Sequence, residues 1–351
     1  MSRPTRRLLA ALMAAGVLAT AACGSGETPA DGERLADTAG SGELVVYSGR
    51  NENLIAPLLE KFEESSGIKV TARYGGSAEL AAQLLEEGSR TPAAVFLSQD
   101  AGALGALQDE DLLAPVDQAV LDKVPAKYRS AEGRWVGVSG RSRVLVYNPE
   151  TTPEAQLPKS VFDLTRPEYK GKVGYAPTNA SFQSFVTALR VVEGEQGAKE
   201  FLTGFKANEP TAYDGNALIV DAVNDGQIPF GLVNHYYLYE KASEAGGLDK
   251  LKARNYLFPG DDLGSLVNVA GVGLLEGNVS DDAKTFVDYL LGAEAQTYFA
   301  EVTKEFPLVA GVQPDVPGLP ALASLQGPDI DLSQLDTLEQ TLALLDEVGL
   351  T

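Results

Sequence analysis

From Glu43 onward the chain alternates between two hydrophobic periods. Residues 44–47 (Leu-Val-Val-Tyr) form a short apolar run that ends in the polar turn 48–53. Leu54, Ile55, Leu58, Leu59 and Phe62 then recur at helical spacing until Gly67 closes the helix. A strand is expected over 68–74, a second amphipathic helix through Leu80, Leu84 and Leu85, and a third strand over 93–97. Strand, helix, strand, helix, strand predicts a mainly parallel sheet flanked by helices, whose ligands gather in loops 48–53, 75–77 and 98–101 beyond the strand ends.

The second half repeats this alternation. Strands are expected at 172–175 and 228–233, and helices at 181–193 and 238–245. Between the halves, apolar runs 136–138 and 144–147 flank the polar segment Ser139-Gly140-Arg141-Ser142, and a later apolar stretch, 267–275, is broken by Gly271 and Gly273. Two α/β lobes joined by more than one extended crossing make a hinged clamshell. The expected division is an N-terminal lobe of 43–140 completed by about 267–317, and a C-terminal lobe of 141–266 completed by about 318–351. The last segment reads as a Pro-rich loop followed by one amphipathic helix.

The first 22 residues carry Arg3, Arg6 and Arg7, an apolar run over 8–17, then small residues up to Cys23, the pattern of an export signal. Cys23 is the only cysteine, so an internal disulfide is impossible. The stretch Leu18-Ala19-Thr20-Ala21-Ala22-Cys23 resembles a bacterial lipobox, which implies lipidation of Cys23. Residues 24–42 read as a flexible tether. The expected location is extracytoplasmic, held to the cell membrane only through that lipid. Formal charge is −21 over the whole chain, and loss of the three leader arginines takes it to −24, a field that repels nucleic acid and fits a soluble monomer.

Enzymatic signatures are missing from the sequence: there is no Gly-x-x-x-x-Gly-Lys loop, no His-Glu-x-x-His, and only one histidine, His235. The motifs that are present point elsewhere. Val45-Val46-Tyr47-Ser48-Gly49-Arg50, Tyr74-Gly75-Gly76, Phe96-Leu97-Ser98-Gln99-Asp100-Ala101-Gly102 and Asn234-His235-Tyr236-Tyr237 resemble the ferric-ion-binding proteins of bacterial ABC iron importers. That resemblance implies a periplasmic-binding-protein type II clamshell that captures Fe(III) with a carbonate or phosphate ion and delivers it to an ABC permease and its ATPase. A receptor for a small organic anion or polyamine is the alternative, and a cell-surface hydrolase a third reading.

The chemistry of the tyrosine pair stands apart from the resemblance. Ferric iron is a hard ion that prefers anionic oxygen, and a phenol gives up its proton at neutral pH only to such a metal. Adjacent residues of a strand face opposite ways, so Tyr236 and Tyr237 share one ion only where the strand has ended. The resemblance implies Ser139, Gly140, Arg141, Asn216 and Asn234 as anion contacts. Gly140 would let backbone amides converge, Arg141 would present a planar fork, and the asparagines would donate without adding charge. Asn51 and Gln99 stand where many relatives carry histidine and glutamate. They are expected to line the cleft, with Glu52 a further candidate ligand or simply a carboxylate at a helix N-terminus. His235, Tyr47, Tyr147, Tyr239 and Trp135 are expected to be structural.

Overall fold

The computed structural model describes residues 43–312 and 315–351. The export signal, Cys23 and the tether expected over 1–42 lie outside these residues. Among those described, no helix is long and apolar enough to cross a membrane.

The first lobe begins with β1 (Glu43–Ser48), α1 (Glu52–Ser66), β2 (Lys69–Tyr74), α2 (Ser77–Glu87), β3 (Val95–Ser98) and α3 (Ala101–Asp109), followed by a single turn, α4 (Gln118–Leu121). Asn51 caps α1 and Asp100 caps α3, each accepting a backbone N–H from its own helix, while Gly67 ends α1 in the left-handed region. β1 pairs in parallel with β2 and β3, as the alternation predicts.

β4 (Trp135–Tyr147) then leaves the first lobe for the second, which holds β5 (Val173–Tyr175), α5 (Ala180–Ala207), β6 (Thr211–Ala212), α6 (Asn216–Asn224), β7 (Phe230–Asn234), α7 (Tyr236–Ala245) and β8 (Arg254–Tyr256). α5 is interrupted at Gly194, whose φ of 73° is not helical, close to where the sequence pattern fades. The chain returns through β9 (Val267–Leu274), α8 (Asp281–Leu290), α9 (Ala293–Glu301) and β10 (Phe306–Pro307), and ends in α10 (Leu338–Val348). The strand order is β2-β1-β3-β9-β4-β7-β5-β6, with β8 and β10 also on β4.

The polar stretch 139–142 and the apolar runs on either side of it form a single buried strand. Trp135 to Ser142 pair with β9, and Arg143 to Tyr147 pair with β7, so one continuous strand belongs to both sheets. β10 adds a second ladder beside Ser139 and Gly140. Polar side chains survive in this position because partners distant in sequence satisfy them.

The C-terminal segment differs from expectation, because it touches both lobes rather than completing only the second. Its short helical turn Leu332–Asp336 lies on α3. Gly102 and Gly105 of α3 face the carbonyls of Leu335 and Ser333 so closely that a Cβ at either position would collide with backbone. Trp135 Nε1 donates to Ser333 Oγ at 3.2 Å. α10 then packs on α5, where Thr187 and Thr341 hydroxyls meet at 2.8 Å and Arg190 donates to the Thr337 carbonyl at 2.9 Å.

Candidate metal and anion site

β7 delivers Asn234 and His235, and α7 starts at once with Tyr236 and Tyr237 as its first two residues. The strand has therefore ended before the pair, and helical geometry sets the rings side by side. Their centroids are 4.3 Å apart at 30°, and both residues are half-buried. Their hydroxyls neighbour one another, and the N-terminal end of α7 favours negative charge there. Burial and the neighbouring Tyr237 raise the Tyr236 phenol well above its ordinary value, while Arg141 pulls the other way. A phenol so placed keeps its proton until a strong Lewis acid replaces it.

His235 fixes where α7 begins. Its Nδ1 accepts the Ser142 N–H at 3.2 Å, so Nε2 is the donor to the Lys304 carbonyl at 2.9 Å. The ring stacks on Phe306 at 4.1 Å, and burial pulls its pKa down to about 3, which keeps it neutral. This agrees with a structural role. Tyr47, Tyr147, Tyr239 and Trp135 are all buried, also as expected.

Next to the tyrosines a cavity of about 30 Å³ is lined by Gln99, Asp100, Arg141, Arg143, Ser181 and Asn234, among others. One wall is the N-terminus of α5, where Asn179 caps the helix by accepting from the Ser181 N–H and hydroxyl at 3.0 and 2.6 Å. Asn216 Nδ2 donates to Asn179 Oδ1 and Ser181 Oγ, each at 3.1 Å, and its own Oδ1 is buried without a hydrogen-bond partner among the described residues. Arg143 Nη1 donates to Ser181 Oγ at 3.0 Å and to Asn234 Oδ1 at 3.4 Å, while its Nη2 is buried and has no partner among the described residues. Desolvation lowers the Arg143 pKa to about 10, so it remains charged at neutral pH. A guanidinium with a spare donor beside a helix N-terminus is arranged for an oxyanion.

Arg141 and Ser139 have a common partner that sequence reasoning missed. Glu305, 3% exposed, receives both Arg50 guanidinium nitrogens at 3.1 and 2.8 Å, the Ser139 hydroxyl at 2.7 Å and the Thr303 hydroxyl at 3.2 Å. Arg141 Nε lies 3.7 Å from the same carboxylate, and its Nη2 donates to the Gln99 carbonyl. Burial alone would raise Glu305, yet Arg50 and Arg141 hold it below its ordinary value. Of the expected anion contacts, Ser139 and Gly140 lie within β4, beside this carboxylate. The Ser139 hydroxyl donates to Glu305, and Gly140 sits in the ladder between β9 and β10.

Of the remaining candidates, Arg141, Asn234 and Gln99 reach the cavity, and Asn216 stands behind it. Asn51 and Glu52 do not. Asn51 is exposed and caps α1, and Glu52 is an exposed carboxylate in the first turn of that helix. Asn179 and Ser181 carried a signal that went unused, a polar cap motif directly before an apolar helical run. Arg143 and Glu305 carried none, because their roles depend on side chains brought together by the fold.

The chain matches the family described as bacterial extracellular solute-binding protein over residues 90–331. It is 37% identical over 309 residues to the Fe(3+)-binding periplasmic protein of Serratia marcescens, covering 88% of this chain and 90% of that one. Among solved structures, iron-bound HitA from Pseudomonas aeruginosa superposes with a TM-score of 0.79 at 33% identity, over 88% of this chain and 99% of that one. A Trichodesmium protein in complex with iron and citrate gives 0.76 at 29% identity, over 88% and 100%. This chain belongs to the bacterial extracellular solute-binding proteins, with the type II periplasmic-binding-protein fold, and is a binding protein rather than an enzyme.

Proposed function

We propose that this protein captures Fe(III) together with a small oxyanion and hands it to an ABC permease. The observation that carries the reading is the stacked Tyr236–Tyr237 pair at the start of α7, with the charges of Arg141 and Arg143 bearing on it. In the binding step the metal displaces both phenolic protons to solvent, and the positive end of α7 together with Arg141 offsets the phenolate charge. The oxyanion, carbonate or phosphate, takes the spare Arg143 donor, the Ser181 and Asn234 side chains and the N-terminal end of α5. Two phenolates leave a ferric ion with one positive charge, which the anion more than offsets or balances according to its own charge.

Gln99 brings the first lobe to the site, and Asn51 and Glu52 are proposed to approach it only on closure. Export and lipidation at Cys23 would hold the monomer beside its permease. Ferric salt with phosphate should produce a visible tyrosinate charge-transfer band. Tyr236→Phe and Tyr237→Phe should each weaken that band, and the double variant should abolish it. A wild-type protein without the band, or a band indifferent to both substitutions, defeats the reading.

A further inference from the structure

Arg141 and Arg143 line the cavity, and a third buried guanidinium, Arg50, pairs with Glu305 behind Arg141. On its own that arrangement would attract anions and repel a trivalent cation. Two carboxylates counter it. Asp100 lines the cavity but is committed to capping α3, accepting the Ala103 N–H at 3.2 Å. Glu305 is different, because it stands between Arg50 and Arg141 and is held by hydroxyls from β4 and from Thr303, just after α9. It comes from the β10 approach, next to Lys304, whose carbonyl receives the His235 ring at the start of α7. The carboxylate is thus tied to the first-lobe loop at Arg50, the crossing strand and the helix that carries the tyrosines.

We propose that Glu305 determines specificity by charge, and that its buried carboxylate converts an arginine-lined oxyanion cleft into one that accepts a ferric ion with its anion. It contacts neither ion. Its negative charge acts through Arg141 and Arg50, fixing both guanidiniums and cancelling part of their field. The proposal rests on the ferric reading above.

The test measures two affinities in each variant: phosphate for the iron-free protein by calorimetry, and Fe(III) at saturating phosphate from the tyrosinate band with a competing chelator. Glu305→Gln makes the cleft one unit more positive, so phosphate should bind about tenfold tighter and Fe(III) about tenfold weaker. Arg50→Met/Glu305→Gln restores the wild-type charge and should restore the ratio of the two affinities. Ser139→Ala removes a hydrogen bond but no charge and should leave the ratio unchanged. If Glu305 only held the fold together, Glu305→Gln would lower both affinities together, and that result, or no change in either, overturns the proposal. Should Glu305→Gln not fold, Arg50→Met compared with Arg50→Met/Glu305→Gln carries the same single-charge difference, and an equal ratio in those two also overturns it. A wild-type protein that shows no band would sink the ferric reading, whereas the phosphate arm would still report on Glu305.

Discussion

Burying a guanidinium without an ion-pair partner costs stability, and among the described residues Arg143 has none. Its neighbours Ser181 and Asn234 are uncharged, so the positive charge is left for a ligand to balance. Arg143→Met should therefore raise the melting temperature of the ligand-free protein while weakening phosphate binding about thirtyfold, the equivalent of losing roughly 2 kcal/mol of charge-assisted hydrogen bonding. Thermal scans and calorimetry on one preparation read both effects, and a variant that loses stability along with affinity would contradict this account. Glu240, one turn beyond Tyr236, gives a second residue-level test. Burial, then Glu305 and Glu244, against an opposing Lys304, raise its pKa to about 7. The folded protein thus holds this proton up to about pH 7, while the unfolded chain releases it near the ordinary carboxylate value. The resulting penalty is absent below that value, grows as pH rises to about 7, and is constant above it. Glu240→Gln should accordingly raise the melting temperature at pH 8 and leave it nearly unchanged at pH 4.5.

At the scale of elements, much of the architecture was legible because apolar stripes at helical spacing alternate with short apolar runs, and some helices also carry a local cap. Asn51, Asp100 and Asn179 sit directly before the helices they cap. The tyrosine pair was legible for the same reason, as strand end and helix start adjoin in sequence. β4 as one strand was not, since residues 139–142 interrupt the apolar pattern with polar side chains that Glu305, Gln99 and His235 meet from elsewhere in the chain. The seat of the terminal segment on α3 was equally hidden, because close backbone approach to Gly102 and Gly105 leaves no periodic trace. That contact can be tested. Gly to Ala in an exposed helix is stabilising by up to about 1 kcal/mol. Gly105→Ala should instead destabilise by about 2 kcal/mol, because its methyl group meets the Ser333 carbonyl, and denaturant unfolding measures the sign directly.

Across the whole molecule, β4 runs through both sheets and the terminal segment joins α3 to α5, so binding at the cleft is coupled to the stability of both lobes. A ligand that binds only the folded chain stabilises it by RT ln(1 + [L]/Kd). A phenol ordinarily keeps its proton to about pH 10, and ferric ligation removes it, so each tyrosine ligand weakens apparent affinity about tenfold per unit fall in pH. Two phenolates predict a hundredfold change per unit, or roughly 2.7 kcal/mol of stabilisation lost for each unit of acidification while iron remains in excess of Kd. The raised pKa of Tyr236 in the empty cleft keeps that phenol protonated over the whole range from pH 6 to 8, so its share of the slope should not flatten there. The experiment is a series of melting curves over those pH values at fixed free Fe(III) and saturating phosphate, with the protonation of the buffering chelator and of phosphate accounted for. Wild type should show the two-proton slope, and Tyr236→Phe the one-proton slope with weaker stabilisation throughout. A one-proton slope in wild type would mean that only one member of the pair reaches the metal, and a flat line that neither does.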